Sequence, residues 1–258
     1  MSQSCVRIAM WSGPRNISTA LMRSFGARGD CAVTDEPFYA AYLVATGLIH
    51  PMREEVIASQ PTNWRKVAEQ LVGPPPNGKA VWYQKHMTHH MLPEFGRDWC
   101  DGLTNAFLIR APEAVLMSYS QKRDDFTLDE IGLPAQAQLF DRAAQRLGRA
   151  PPVVESQDVL ADPRGILSAL CAACRVPFDP AMLSWAPGRR ATDGVWAPVW
   201  YQAVERSTRF ADPRPEAGFA DLPDALKKLA AVARPIYDRL AAHKLKASDR
   251  SHDVASQP

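Results

Sequence analysis

The chain has no apolar run of the roughly 20 residues that a bilayer span requires. Its opening residues, MSQSCVR, lack the apolar stretch of a secretory signal, so a cytoplasmic protein is the expectation. Charge of one sign is missing as well. Lys and Arg number 30 against 28 Asp and Glu, a net charge of +2. So even a balance gives no electrostatic ground for nucleic acid or a membrane surface as partner. Cysteine is scarce, five residues at irregular spacing, and an odd count does not make a disulfide framework. Cys171 and Cys174 fall in the helical pattern Ile166, Leu167, Leu170, Cys171, Cys174 and read as buried thiols rather than zinc ligands. Internal repeats and long low-complexity segments are absent too. What remains is 46% hydrophobic and 22% charged, the make-up of a globule with a sizeable core.

Strand and helix patterns alternate along the chain. Short apolar runs at Val6–Trp11, Cys31–Val33, Lys79–Lys85, Thr104–Ile109 and Pro152–Glu155 read as strands. Helical spacing follows Ser18, recurs in parts of residues 40–78 (a lid or insertion over the sheet), and returns after Pro112, over 135–148, from Asp162-Pro163 to Cys174, and over 225–246 with a bend at Pro235. This alternation predicts a three-layer α/β fold with a central, mainly parallel sheet covered by helices on both faces. Residues 1–247 read as one domain and 248–258 as a disordered tail. The proline-rich stretch 177–223, with Trp185, Trp196, Trp200 and Tyr201, is expected to lie over a surface cleft.

The first strand breaks at Ser12-Gly13-Pro14, and a helix opens at Ser18-Thr19. A strand, a tight turn and a helix start leave backbone N–H groups without partners, and Arg15 adds a guanidinium. Together they suit a phosphate or sulfate. The nucleoside-triphosphatase signature G-x-x-x-x-G-K-[ST] is not met, because no Gly-Lys pair precedes Ser18. A second strand-turn-helix follows at FLIRAPEAVLMSYS, where Arg110 and Ser118 lie a little over two helical turns apart, close enough for one anion to bridge.

Pro14-Arg15-Asn16-Ile17-Ser18-Thr19 resembles the phosphosulfate loop of sulfotransferases, P-[KR]-S-G-T-T, with Asn16 and Ile17 in place of Ser-Gly. Arg110, Pro112 and Ser118 resemble that family's 3′-phosphate motif, with Ala111 where Asp or Asn is common. Arg189-Arg190-Ala191-Thr192-Asp193-Gly194-Val195-Trp196 is similar to its R-K-G-x-x-G-x-W segment, with Ala191 in place of Gly. More specifically, the chain resembles bacterial sulfotransferase-like proteins, some of them carried under aminotransferase names. No lysine context supports a pyridoxal-phosphate enzyme. The resemblance implies a P-loop-type fold and a donor, 3′-phosphoadenosine 5′-phosphosulfate (PAPS), that leaves as adenosine 3′,5′-bisphosphate. It also implies a small-molecule hydroxyl or amine acceptor and no metal. Pro14 to Thr19, Arg110, Ser118, Arg189, Arg190 and Trp196 are the donor-binding residues it implies. Ala20 stands where relatives carry an aromatic residue against adenine, so Trp11 or Trp196 would have to substitute.

Arg15 stands where cytosolic relatives carry a catalytic lysine, and two residues compete as general base. Glu36, forced onto an extended segment by Pro37, sits where some relatives place a glutamate. His86 is similar to the histidine that cytosolic relatives carry after their third strand, with His89 and His90 nearby. Those three histidines lack a neighbouring carboxylate; hydrogen bonding or proton transfer suits them better than a metal, and plain surface histidines fit better still. Two alternatives stay open: a P-loop nucleotide kinase or phosphotransferase, and a catalytically silent nucleotide-binding module.

Overall fold

The structure, a computed structural model, describes residues 5–121, 123 and 126–247. The tail expected over 248–258 lies outside the described residues. Five strands form one parallel sheet: β1 (Val6–Ser12), β2 (Cys31–Asp35), β3 (Val81–Met87), β4 (Thr104–Ile109) and β5 (Val153–Glu155), in the order β2-β3-β1-β4-β5. The helices are α1 (Ser18–Gly26), α2 (Tyr39–Thr46), α3 (Arg53–Ser59), α4 (Trp64–Val72), α5 (Pro112–Ser120), α6 (Leu133–Leu147), α7 (Ser156–Ala161), α8 (Pro163–Ala173), α9 (Ala197–Trp200), α10 (Gln202–Glu205) and α11 (Asp224–Ala241).

Strand parity sorts the core into two layers, because successive side chains of a strand leave on opposite faces. Ile8 and Met10 of β1, Tyr83 of β3 and Leu108 of β4 pack with Leu21 and Phe25 of α1 and Leu167 and Leu170 of α8. Ala9 and Trp11, Trp82 and Phe107 meet Val67 and Leu71 of α4, Phe140 of α6 and Leu240 of α11 on the other face. Burying each such side chain contributes about 1.5–3 kcal/mol. The segment 40–78 is therefore more than an overlying insertion, since Ala41 of α2 and Val67 of α4 belong to the core itself. α11 runs unbroken through Pro235, with its first turn opened by the preceding Pro223.

β1 lies between β3 and β4, while the chain leaves β1 for the edge strand β2. The crossovers thus diverge above the carboxyl end of β1 and open a crevice there, where open parallel sheets bind their ligands. Gln136 of α6 braces that end, donating from Nε2 to the carbonyls of Trp11 at 3.0 Å and Leu108 at 2.9 Å.

Candidate active site

The turn between β1 and α1 is shaped by close approach and by handedness. A Cβ on Gly13 would come within 2.5 Å of the Ile131 carbonyl oxygen, so glycine is required where that backbone crosses. Arg15 and Ile17 then take positive φ, 64° and 54°, unusual for any side chain and strained for a β-branched one. Turns that pass through the left-handed region gather backbone N–H groups into anion-binding concavities. Ile17, not Ser18, is the N-cap of α1, and no side chain caps the helix. The Leu21 N–H pairs with the Ile17 carbonyl at 3.1 Å, which leaves the first-turn amides ahead of it for a ligand.

Three further groups converge on this turn. Arg15 Nε donates to Ser118 Oγ at 2.9 Å, across the 103 residues that separate them. Arg110 donates from Nη1 to the Arg15 carbonyl at 2.7 Å and from Nε to Glu216 Oε1 at 2.6 Å. Burial, and then the charge of Arg110, lowers the pKa of Arg15, which at physiological pH still leaves it cationic. Asn16 donates from Nδ2 to the Leu108 carbonyl at 3.3 Å, while its buried Oδ1 has no partner among the described residues. Pro14, Arg15, Asn16, Ile17, Ser18, Thr19 and Arg110 line one cavity of about 360 Å³. Two guanidiniums and an uncapped helix start thus meet with Glu216 as their one carboxylate partner among the described residues. The surplus is positive, and it fits an anion.

Glu36 forms the opposite wall. It lies just past the tip of β2 with φ of 41°, not on the extended segment that Pro37 led one to expect, its N–H paired with the Lys85 carbonyl at 2.9 Å and its own carbonyl held by Gln60 Nε2 at 3.1 Å. Lys85, only 1% exposed, donates to Asp35 Oδ1 at 2.9 Å, Glu36 Oε1 at 2.5 Å and the Tyr201 hydroxyl at 2.6 Å. Burial pushes the Glu36 carboxyl up from its ordinary value, with the Lys85 charge opposing and Asp35 reinforcing that shift. For Lys85 the two carboxylates outweigh burial together, and its pKa rises.

Four residues expected at the site are elsewhere. His86 is one strand position from Lys85 and so points to the other face, stacked on Trp11 with centroids 4.4 Å apart. Burial depresses its pKa to about 3, and it does not line the cavity. Arg189 is exposed, and the Arg190 guanidinium turns back onto the carbonyls of Ala186, Pro187 and Gly188. Asp193, between them and the helix, is drawn into a buried ion pair with Arg23, which keeps this turn away from the cavity. Trp196 is 1% exposed and donates from Nε1 to the Tyr201 hydroxyl at 3.0 Å. With Trp11 equally buried, neither of the two proposed stand-ins can lie against a nucleotide base.

Lys85 and Arg209 on the cavity wall were not expected from the sequence, whereas Trp200 and Tyr201, also on that wall, belong to the stretch expected over a cleft. One signal was available: a lysine within the wholly buried strand VWYQKHM demands a charged partner. Its partners lie 50 and 116 residues away, beyond any local spacing rule. His50, His89 and His90 line the same cavity as neutral groups, since burial holds His50 near 4, His89 near 3 and His90 well below its ordinary value.

The sequence matches the family profile described as Sulfotransferase domain over residues 6–244. It is 35% identical over 207 residues to Branched-chain-amino-acid aminotransferase-like protein 1 of Arabidopsis thaliana, covering 80% of this chain and 37% of that protein. Its similarity to aminotransferase-like protein 2 of the same plant is 32% over 207 residues, 80% of this chain and 36% of that one. The chain therefore spans little more than a third of the length of these curated relatives. The fold is similar to that of the sulfotransferase domain from the curacin biosynthetic pathway, with a TM-score of 0.54 and 16% identity over 93% of this chain and 99% of that one. A sulfotransferase from Alicyclobacillus acidocaldarius gives a TM-score of 0.55 at 13% identity, over 93% and 95% of the two chains. With the family profile met from β1 to beyond α11, and the same parallel architecture in these structures, the chain belongs to the sulfotransferase family.

Proposed function

We propose that the protein transfers a sulfuryl group from PAPS to the hydroxyl or amine of a small-molecule acceptor. One observation carries the reading. Arg110 bonds the Arg15 backbone while Arg15 bonds Ser118, so both basic turns serve one cavity. A nucleotide with anionic groups at its 5′ and 3′ ends matches that pair of turns, and the unpartnered Asn16 Oδ1 and uncapped α1 amides leave polar groups for it to meet.

In this reading Arg15 and the Asn16 to Thr19 amides hold the 5′ end, and Arg110 and Ser118 hold the 3′-phosphate. Arg209, whose one ion pair among the described residues is with Asp212 at 3.4 Å, takes the part first expected of Arg189 and Arg190. Trp200 is the aromatic wall offered to the base. When bound, the donor supplies the sulfuryl group. Arg15 neutralises charge gathering on the departing phosphate, and the loop fixes it in line with the acceptor. Glu36 Oε2 takes the acceptor's proton as the acceptor atom bonds to sulfur and the bridging S–O bond breaks toward phosphate.

The test compares thermal stabilisation by adenosine 3′,5′-bisphosphate with that by ATP and magnesium. At 100 times its dissociation constant the bisphosphate should add about 2.7 kcal/mol. A preference for ATP refutes the reading in favour of a phosphotransferase. Bisphosphate binding without sulfated product from a broad acceptor panel refutes transfer and leaves a silent module.

A further inference from the structure

Lys85 is the charged residue of a strand buried along its whole length, yet it is no loose cation. An ammonium has three protons, and Lys85 commits all of them, to Asp35, Glu36 and Tyr201. Asp35 is itself fixed at two points by the late segment. It accepts the Tyr201 hydroxyl at 2.8 Å and the Gly194 N–H at 3.1 Å, and Tyr201 in turn accepts from Trp196. The cluster is closed on every side but one. Glu36 gives Oε1 to Lys85, while Oε2 has no protein partner among the described residues and the side chain lines the cavity.

We propose that Lys85, clamped by Asp35 and Tyr201, is the positioning residue of Glu36, holding one carboxylate oxygen so that the other faces the acceptor. This inference rests on Glu36 being the base. It gives Lys85 no direct part in binding the donor, because a buried ammonium with every donor engaged has nothing left for an anion. Among the described residues, the charged or titratable groups around Glu36 are Asp35 beside it, Lys85 from β3, Tyr201 from the late segment, Tyr39 from α2, and Arg15, His50, His89, His90, Arg110, Tyr119 and Arg209 around the cavity.

The arrangement predicts two opposite shifts. Removing the Lys85 charge takes away the influence that lowers Glu36, and removing the Asp35 charge takes away one that raises it. The measurement is the ¹³C NMR titration of carboxyl-labelled glutamate in the full chain, with Glu36 assigned by its loss in Glu36→Gln. Lys85→Met should move the Glu36 titration up and Asp35→Asn should move it down, each on the order of one pH unit. Lys85→Arg, which keeps the charge, should return it close to the native position. A lysine needed only for packing would leave the titration in place in Lys85→Met, and that result overturns the proposal. If Lys85→Met does not fold, Lys85→Gln takes its place: an upward shift supports the proposal, and an unmoved Glu36 titration refutes it. Neither donor nor acceptor enters the experiment. Failure here with bisphosphate stabilisation intact refutes the role of Lys85 and spares the donor reading, and the reverse pattern does the opposite.

Discussion

Arg110 shows how one side chain can hold two turns together. Its guanidinium divides between Glu216 and the Arg15 carbonyl, with about a quarter of the side chain left open to the cavity. Arg110→Ala should weaken binding of adenosine 3′,5′-bisphosphate by about 2–5 kcal/mol, the range for losing one side of a partly buried charge contact. Calorimetric titration checks it, and an unchanged dissociation constant removes Arg110 from the site. The Arg110 and Ser118 spacing was legible in the sequence because helix geometry turns eight residues into a fixed separation. Arg189 and Arg190 looked as persuasive and are not at the cavity, since their turn is closed by its own carbonyls and by Asp193. Lys85 was only half legible. Its apolar strand called for a charged partner, but nothing local pointed to Asp35 or Tyr201, which lie 50 and 116 residues away.

The element that most constrains the site is the late segment from Trp185 to Tyr201, fastened at two buried polar points. Asp193 receives both terminal nitrogens of Arg23 on α1, at 2.5 and 2.7 Å, and accepts the Arg190 N–H at 2.7 Å. Gly194 and Tyr201 supply the second point, on Asp35, with Trp196 donating to the Tyr201 hydroxyl. Gly194 has to be glycine, because a Cβ there would overlap the Trp196 ring. Side chains on both sides of the Arg23 pair are nearly inaccessible, 3% and 0% exposed. Asp193→Ala strands a buried guanidinium and should cost about 3–5 kcal/mol of unfolding free energy. Urea unfolding reads this directly, and an unaltered midpoint would mean that the segment is not fastened there. Sequence analysis placed these residues over a cleft and saw the Gly and Trp, but a distant arginine was needed to explain the aspartate between them.

At the scale of the whole molecule, the alternation of apolar runs and helical spacing carried the architecture, and β4 falls at Thr104–Ile109 as the sequence indicates. Parity along β3, which sends Lys85 and His86 to opposite faces, was also written in the sequence but cannot be assigned to a face without the partners of the strand. Burying so many histidines leaves a signature in acid. His86 and His89 near 3 and His50 near 4 stay neutral in the fold well below the ordinary value of 6.5. As pH falls under 6.5 the unfolded chain takes up protons that the folded one does not, so stability declines through that window. His86 alone should remove about 2 kcal/mol at pH 5. Urea unfolding at pH 7.5 and 5.0 should show the loss, reduced in His86→Phe, which keeps the stack on Trp11. Equal stability at both values would contradict it. A last consequence comes from the positive φ angles of Arg15, Ile17 and Glu36. Glycine would relieve about 1–2 kcal/mol of chiral strain at each, but at Arg15 and Glu36 it would also remove the guanidinium bonded to Ser118 and the carboxylate bonded to Lys85. It would also slacken the two walls that must face each other across the cavity. Selection for heat resistance and selection for turnover therefore pull these three codons in opposite directions.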